Sequence, residues 1–349
     1  MNSHSLPAAE ISLIILNYQG EPWLDRCLES ICAQTALARL EVVLVDNVST
    51  DKSREICDRF RLRLPRFMFI ANQENLWYCE GNNVGAQAAS SSLLFFLNND
   101  VWLEPECVER LLDAAAHAAA DVFAVRVLDY ADDHFQGFGA LGFDWLGCVV
   151  TVPDHDHPRE VFSAYGCAFM IRKTCFERVG GFPAELQAYT DEIDLAWRVW
   201  ISGGRILSVP AAKVHHRGAA AANAAGGGRL VEFRTNESKR FLAVRNGMVF
   251  WLKNGRHLLR LMVVAHLLLF ACEAIVWLAL TRKSGFVWRS YFGGVVAAFR
   301  MRASTRQWRE RNDRMRRHGD FWMLRFWHLQ LGRWAEVRSL AKLGRPKVD

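Results

Sequence analysis

Short apolar runs alternate with longer helical segments over the first 216 residues of the chain. Four runs rich in β-branched and other apolar residues predict strands, at residues 11–16, 41–46, 66–71 and 92–100. Between them, two segments space their apolar residues three and four apart and predict helices, at residues 23–34 and 50–60. This alternation is typical of βαβ units on a mainly parallel sheet, so the sequence predicts an α/β fold.

The pattern continues to residue 216 and then changes. Residues 120–216 contain further strand-like runs, a helix candidate at 194–204 and a last strand at 205–216. Residues 218–228, GAAAANAAGGG, are small and flexible, and they form either a linker or a mobile lid. We therefore expect one α/β domain over residues 1–225 and a helical, basic region over residues 226–349.

A twenty-residue apolar stretch, residues 261–280, is long enough to span a bilayer. His266 and Glu273 lie seven residues apart on one helical face of this stretch, and a carboxylate at mid-bilayer costs about 2.5–3.5 kcal/mol. Basic residues flank the stretch on both sides, so no charge bias sets an orientation. We expect this helix to lie in the membrane interface. A single spanning helix and a soluble core helix are the alternatives.

The formal net charge of +6 is distributed unevenly, because residues 281–349 hold 17 Lys and Arg against 5 Asp and Glu. Such asymmetry indicates an anionic partner, either phospholipid or nucleic acid, unless these charges only form a solvated helical face. Five tryptophans are interleaved with arginines in or near this region, which is typical of helices in the headgroup zone: Trp288, Trp308, Trp322, Trp327 and Trp334.

With 349 residues, 51% of them apolar and 23% charged, the chain can fill the cores of two domains. This composition excludes disordered, collagen-like and small disulfide-bonded proteins. The nine cysteines are odd in number and include no C-x-x-C pair, which indicates reduced core thiols in a cytosolic protein. The first ten residues lack a basic segment, so we expect no secretion signal.

Polar residues close three of the predicted strands, at the edge of an open α/β sheet where ligands bind. Asp46 is placed to accept a base N–H or a ribose hydroxyl, although an aspartate that closes a strand is about as often a cap or turn residue. Asp100 is the best metal candidate, because a divalent ion bound with a diphosphate needs only one or two carboxylates. The alternative is a turn without an ion. Since neighbours on a strand point to opposite faces, only one of His215 and His216 can share a site with Asp100.

Two further segments carry candidate chemistry. Residues 75–85, NLWYCEGNNVG, predict a loop whose glycines let the backbone approach a ligand and whose asparagines supply hydrogen bonds, unless it is only a helix entrance. Asp191, Glu192 and Asp194 lie at the start of the last helix candidate. Either they are capping residues favoured by the helix dipole, or one of them is a general base.

Taken in order, these segments resemble the family-two inverting glycosyltransferases with the glycosyltransferase A fold, and most of all their bacterial rhamnosyltransferase-like group. The resemblance rests on LNYQG (16–20), VDNVSTD (45–51), NLWYCEGNNVG (75–85), LNND (97–100), GCAFMIRKTCFERVGGF (166–182) and DEIDLAWR (191–198). It implies that nucleotide-sugar contacts come from Asn17, Tyr18, Asp46, Asn47, Asn75, Gly81, Asn82, Asn98 and Asn99. It also implies that Asp100 and His216 bind a metal and that Glu192 or Asp191 is the catalytic base.

The same resemblance implies an inverting, Mg²⁺- or Mn²⁺-dependent transfer of a hexose, with rhamnose as the leading candidate, from a nucleoside diphosphate sugar. The C-terminal region adds an expected membrane surface, on the cytoplasmic face of the cell membrane. The expected acceptor is a glycan or a lipid-linked intermediate of cell-surface polysaccharide assembly, and nucleic acid is not an expected partner. The alternative from another class is a nucleotide-sensing protein whose Trp- and Arg-rich tail binds single-stranded nucleic acid.

Overall fold

The computed structural model describes residues 8–218, 234–329 and 347–348. The strands are β1 (Ile11–Asn17), β2 (Leu40–Asp46), β3 (Phe67–Ala71), β4 (Leu93–Asn98), β5 (Val101–Leu103), β6 (Val122–Asp129), β7 (Phe135–Gly137), β8 (Gly139–Asp144), β9 (Val149–Thr151), β10 (Ser163–Ala164), β11 (Ala168–Arg172), β12 (Ile206–His216), β13 (Arg234–Thr235), β14 (Trp327–His328) and β15 (Lys347–Val348). The helices are α1 (Leu24–Cys32), α2 (Ser53–Phe60), α3 (Trp77–Ala88), α4 (Cys107–His117), α5 (Lys173–Val179), α6 (Asp191–Ile201), α7 (Glu237–Asn254), α8 (Met262–Thr281), α9 (Ser284–Val287), α10 (Gly293–Arg300), α11 (Arg302–Met315) and α12 (Asp320–Met323).

The chain forms two compact units. Unit 1 contains the chain up to Gly139, together with Pro153–Gln187 and Gly204–Gly218. Unit 2 contains Ala140–Val152, Ala188–Gly203 and the C-terminal region. The acidic residues at the start of α6 therefore belong to unit 2. The predicted domain limit at residue 225 lies outside the described residues and stays a prediction, and so does the flexible stretch after Gly218.

A mixed nine-stranded sheet is the centre of unit 1, in the order β3-β2-β1-β4-β11-β6-β12-β5, with β7 beside β6. The four predicted strands are confirmed as β1 to β4, which run parallel to one another. Beyond β4 the sheet becomes mixed, because β11 is antiparallel to both β4 and β6. The carboxyl ends of β1, β2 and β4 meet at one edge of the sheet, which is where the candidate site lies.

Both faces of the parallel strands are covered by helices, since successive side chains of β1 point to opposite sides. Leu13 and Ile15 are fully buried in a core cluster that also takes its apolar residues from α1, α2 and α4. Ile14 and Leu16 point to the opposite face, where they contact α3. Strands buried on both faces are expected to be nearly continuously apolar, and β1 and β2 are so except for Ser12, Glu41 and their polar last residues.

The segment that begins at Asn75 forms the entrance of a helix, which was the alternative to the predicted loop, because α3 starts at Trp77. Its two glycines lie against the sheet. A Cβ atom at Gly81 would lie 2.4 Å from Leu16 Cδ1, and one at Gly85 would lie 2.4 Å from Ile14 Cγ2. The glycines therefore allow α3 to approach β1 closely, and this packing outweighs their low helix propensity.

An aromatic cluster forms the core of unit 2. The ring of Phe143 in β8 lies 5.9 Å from Trp197 of α6, 5.3 Å from Trp251 of α7 and 5.2 Å from Trp327 of β14. Around it, β8 pairs antiparallel with β9 and parallel with β14. Aromatic pairs at these distances contribute attraction beyond their buried area, so these rings hold together segments that are far apart in the sequence.

Most of the described C-terminal tryptophans contact other side chains of unit 2, and the prediction that they mark interfacial helices stays a prediction. Trp327 belongs to the aromatic core, Trp322 stacks on His318 at 3.7 Å, and Trp308 lies beneath a lysine ammonium at 4.8 Å. Only Trp288 of the four described is exposed, at 63%. Trp334 lies outside the described residues.

Two further sequence-based expectations bear on location. All nine cysteines are free and seven of them are buried, as predicted for core thiols. One helical stretch in the described part of the chain, Leu259–Thr281, is long and apolar enough to cross a membrane, and 17% of its most apolar window is buried. Core helices of soluble proteins have the same length and composition, so the direction in which its side chains point matters more than its hydropathy.

Candidate active site

A buried asparagine connects the ends of three strands in unit 1. Asn17, at the end of β1, is fully buried. Its Nδ2 donates to Asp46 Oδ1 at 2.8 Å and to Ser49 Oγ at 3.1 Å, and its Oδ1 accepts from Asn99 Nδ2 at 2.8 Å. The structure therefore brings together Asn17, Asp46 and Asn99, as the sequence predicts for the ends of neighbouring parallel strands.

The Asp46 carboxylate also holds the turn that follows β2. Its Oδ2 accepts from the Ser49 amide at 2.9 Å, and its Oδ1 accepts from the Ser49 hydroxyl at 2.6 Å. Asp46 therefore also acts as a turn residue, which was the alternative to ligand binding. An ionised carboxylate has about four acceptor positions, so these bonds leave capacity for a ligand N–H or hydroxyl. The sequence analysis missed Ser49, although aspartate side chains in turns are known to accept from backbone amides a few residues further on.

Of the other residues predicted to contact the nucleotide sugar, some hold the local backbone and one is exposed. Asn47 Nδ2 donates to the Trp77 carbonyl at 3.1 Å, and Asn75 Oδ1 accepts from the Trp77 amide at 2.9 Å. Asn82 is buried and donates to a backbone carbonyl one turn earlier in α3, at 2.9 Å. These amides fix the start of α3, whereas Tyr18 is 53% exposed and presents an aromatic ring suited to stacking on a base.

Asp100 and His216 form a buried pair near the same edge of unit 1, just after Asn98 and Asn99. The distance from Asp100 Oδ1 to His216 Nε2 is 3.6 Å, which is too long for a hydrogen bond. Burial lowers the pKa of His216, which favours the neutral imidazole that binds metals. Among the described residues, no group hydrogen-bonds His216 Nδ1. A carboxylate and a neutral imidazole this close fit a divalent ion such as Mn²⁺.

His215 points to the opposite face of β12, as strand alternation predicts. It stacks on Trp102 with ring centroids 3.7 Å apart, and its Nδ1 lies 2.8 Å from the Asp129 carbonyl oxygen. Ligand atoms of His215, Glu104 and Asp133 lie within 4.8 Å of one another, a grouping that the sequence analysis missed. Lys213 Nζ lies 3.6 Å from the Glu104 carboxylate and already neutralises part of its charge. His216 is therefore the histidine that faces Asp100.

The three carboxylates of α6 in unit 2 have different environments. Burial, together with the neighbouring Glu192 carboxylate, raises the pKa of Asp191 well above its usual range. Burial also raises the pKa of Glu192. Burial acts in the same direction on Asp194, but Lys253 Nζ at 2.7 Å and Arg198 at 2.9 Å outweigh it and lower its pKa. Asp194 is thus a structural ion-pair partner, and Asp191 and Glu192 stay the candidates for a general base.

The two residues before α6 adopt an unusual backbone conformation. Tyr189 and Thr190 both have φ of 68°, in the left-handed region that non-glycine residues rarely occupy. Asn246 of α7 holds this segment, because its Nδ2 donates to the Ala188 carbonyl at 2.8 Å and to the Tyr189 carbonyl at 2.9 Å. Such strain persists only where surrounding contacts enforce it. No local sequence signal marks Asn246.

Comparison with known proteins yields one matching family and a set of similar folds. Residues 12–180 match the family described as Glycosyl transferase family 2. Glycosyltransferase GlyA of Streptococcus pneumoniae is 34% identical over 113 residues, which is 32% of this chain and 16% of GlyA. The chain spans 16% of the length of GlyA and 41% of the length of polypeptide N-acetylgalactosaminyltransferase 16 of mouse and of human.

Two solved structures illustrate the fold. Staphylococcus aureus TarS 1-349 in complex with UDP-GlcNAc has a TM-score of 0.55 at 15% identity, covering 88% of this chain and 89% of that one. GalNAc-T7 with UDP, GalNAc and Mn²⁺ has a TM-score of 0.52 at 20% identity, covering 60% of this chain and 44% of that one. These similarities, with the mixed sheet flanked by helices, confirm the predicted glycosyltransferase A-type fold.

Proposed function

We propose, from the premise that residues 12–180 form a glycosyl transferase family 2 domain, that this protein is an inverting, metal-dependent glycosyltransferase. It moves a sugar from a nucleoside diphosphate sugar to an acceptor hydroxyl. The observation that carries the proposal is the buried Asp100 and His216 pair, 3.6 Å apart, in the unit that also holds the Asn17 and Asp46 cluster. Within a family 2 domain, such a pair is suited to the charge of a diphosphate.

In the proposal, the donor occupies the edge of the sheet in unit 1. Tyr18 stacks on the base, and Asp46 accepts a hydrogen bond from the base or ribose. Asp100 and His216 would hold Mg²⁺ or Mn²⁺, which stabilises the negative charge that builds on the leaving diphosphate. Asn98 and Asn99 lie beside them in sequence and contribute polar contacts to the same donor.

The proposed base is Asp191 or Glu192. It takes the proton of the acceptor hydroxyl while the hydroxyl oxygen forms a bond to the anomeric carbon and the bond from that carbon to the diphosphate oxygen breaks. A single displacement of this kind inverts the anomeric centre without a covalent sugar–enzyme intermediate. The raised pKa values of both acids make either a stronger base once ionised.

The finer parts of the proposal concern substrate and location. The donor sugar is a hexose, with rhamnose as the leading candidate from the resemblance to rhamnosyltransferase-like proteins. The acceptor is a glycan or a lipid-linked intermediate of cell-surface polysaccharide, reached from the cytoplasmic face of the membrane. The nucleic-acid alternative loses its main support, because Trp308, Trp322 and Trp327 contact other side chains of unit 2.

A panel of sugar nucleotides, assayed for diphosphate release with and without Mn²⁺ or Mg²⁺, tests the proposal. The expected result is metal-dependent release from at least one donor, lost in Asp100→Asn. Glu192→Gln and Asp191→Asn identify the base, since the variant that removes it should lose transfer while still binding donor. Release that needs no metal, or that survives in Asp100→Asn, would refute the assigned role of this pair.

A further inference from the structure

The apolar helix α8 of unit 2 has polar side chains directed toward the protein and apolar side chains directed outward, the reverse of an ordinary surface helix. Its histidine and its one carboxylate, His266 and Glu273, point toward the protein, and their side chains are largely buried. The large exposed side chains of α8 and the turn before it are apolar, and they are between 43% and 68% exposed in the described structure: Leu261, Val264, Leu268, Ile275, Val276 and Leu278. The other exposed residues of α8 are small: Ala271, Cys272 and Ala279. In a water-soluble helix the apolar stripe faces the core instead.

The inward polar groups of α8 have specific partners. Trp251 Nε1 donates to His266 Nε2 at 3.2 Å. The Glu273 carboxylate accepts from Arg240 at 3.4 Å and from the Tyr291 hydroxyl at 3.3 Å. Burying the Glu273 carboxylate near a membrane costs free energy, and its partners in unit 2 offset that cost. The outward face of α8 carries no charge. An exposed apolar face of this extent indicates a contact surface.

A groove of about 460 Å³ lies beside this face. Ala274 and Leu278 of α8 line one part of it, and Gly285, Trp288 and Phe292 line another. Trp288 and Phe292 belong to a π-helical turn and stack on each other with centroids 4.1 Å apart. The lining is almost entirely aliphatic and aromatic, which suits a hydrocarbon chain better than a peptide with its backbone polar groups.

Positive charge adjoins the groove. Arg282 and Lys283 directly precede the lining segment and are exposed, whereas Arg289, which follows Trp288, is paired with Glu237 at 2.8 Å. Lys and Arg side chains near an anionic membrane surface are attracted to it. Basic residues also precede α8, so both ends of the helix carry charges that favour the headgroup zone when the helix lies flat.

We propose that this groove binds one acyl chain of an anionic membrane phospholipid, with α8 lying along the membrane surface and its outward face in the same leaflet. Arg282 and Lys283 contact the lipid phosphate. The inference rests on the proposed function only in explaining why the protein would bind a membrane, since a transferase placed there would meet a lipid-linked acceptor. Its test needs no sugar nucleotide.

Vesicle sedimentation of the full chain tests the surface. Wild-type protein should bind vesicles of phosphatidylcholine with one quarter phosphatidylglycerol, bind pure phosphatidylcholine vesicles much less, and be released by alkaline carbonate. Leu268→Glu should weaken binding at least about tenfold. The matched control is Leu62→Glu, at a residue that is 97% exposed in unit 1, and it should bind like wild type. Equal loss in both variants, or resistance to carbonate extraction, would overturn the proposal.

Native mass spectrometry after detergent extraction from the mixed vesicles tests the groove. Wild type should retain one phosphatidylglycerol per chain. Gly285 lines the groove, and an added Cβ there would meet only Arg289 Nη2, at 3.7 Å, so Gly285→Trp is the variant chosen to fill it. This variant should lose the bound lipid, whereas Gly285→Ala should keep it. A wild-type protein without lipid, one that retains phosphatidylcholine equally, or an unaffected Gly285→Trp would overturn the proposal.

The two proposals fail separately. Diphosphate release from sugar nucleotides in lipid-free buffer reports on the transferase chemistry of the donor site. Sedimentation and lipid retention report on α8 and the groove. A protein that releases diphosphate but binds no vesicles would refute only the lipid site, and one that binds lipid without using any donor would refute only the transferase.

Discussion

His216 Nε2 lies 3.6 Å from Asp100 Oδ1, whereas the adjacent His215 stacks on Trp102 at the opposite face of β12. Two neighbouring residues of one type thus differ in whether they face the candidate metal ligand. His215 is therefore an internal control for His216, because both histidines are buried and lie on the same strand.

The first prediction uses this pair. His216→Gln should weaken Mn²⁺ binding by at least roughly tenfold, because it replaces a neutral imidazole ligand, and diphosphate release should fall with it. His215→Gln should leave Mn²⁺ affinity close to wild type. Titration of each variant with Mn²⁺, followed by electron paramagnetic resonance, measures the difference. If His215→Gln were the more damaging change, the ion would belong with Glu104 and Asp133 instead.

The second prediction concerns the pH dependence of the reaction. A general base acts only when it is ionised, and the pKa values of both Asp191 and Glu192 are raised. The acid limb of the kcat/KM profile should therefore lie above the range of ordinary carboxylates, about 3.9–4.3. A profile that stays flat down to pH 4.5 would contradict a base role for either residue. The profiles of Asp191→Asn and Glu192→Gln identify which acid sets the limb.

The raised pKa of Asp191 also affects the stability of the folded state. A carboxyl whose pKa is raised in the folded state stabilises that state when protonated, below its unfolded pKa, and this contribution is lost as pH rises through the folded pKa. At neutral pH the buried, ionised Asp191 should therefore be unfavourable. Asp191→Asn should raise the Tm at pH 7.5 by about 2–4 °C per kcal/mol gained, with little change at pH 4. Calorimetry at the two pH values measures this, and a lower Tm at pH 7.5 would contradict it.

The sequence predicts the parallel half of unit 1 well, because the signal is local. β1, β2, β3 and β4 begin or end within two residues of the predicted runs, and their polar ends meet as expected. The antiparallel insertion of β11 between β4 and β6 is a matter of long-range pairing, for which the local pattern holds no information. The alternation of His215 and His216 could be predicted because it follows from strand geometry alone.

Features that depend on distant partners could not be read from the sequence. The glycines of α3 by themselves favour a loop, and their close approach to β1 depends on Leu16 and Ile14, which are distant in sequence. Asp194 is distinguished from Asp191 and Glu192 by Lys253, some sixty residues further on. The inward direction of His266 and Glu273 likewise needs Trp251 and Arg240, so composition alone leaves open how α8 meets a membrane.

The third prediction concerns Asn246 as a positioning residue. Asn246→Leu keeps the side-chain size but removes both donors to the segment before α6. The left-handed Tyr189 and Thr190 should then relax, which would displace the proposed base. We expect kcat to fall by roughly tenfold or more while KM for the donor changes little, because the donor residues belong to unit 1. An equal rise in KM with kcat unchanged would argue for a role in donor binding instead.

The fourth prediction concerns the packing of α3 on the sheet. Gly85→Ala places a methyl group 2.4 Å from Ile14 Cγ2 and 3.2 Å from Val45 Cγ2, so the helix or the strands must shift. Overpacking of this kind typically costs about 1–3 kcal/mol. Gly285→Ala is the matched control, because its added carbon meets no backbone and a helical alanine is favoured by about 0.5–1 kcal/mol over glycine. Urea denaturation should give Gly85→Ala a lower free energy of unfolding than wild type and Gly285→Ala a higher one. Because Asn47 is bonded to the first residue of α3, Gly85→Ala should also weaken donor binding. A variant as stable as wild type would mean that close approach is not what requires glycine there.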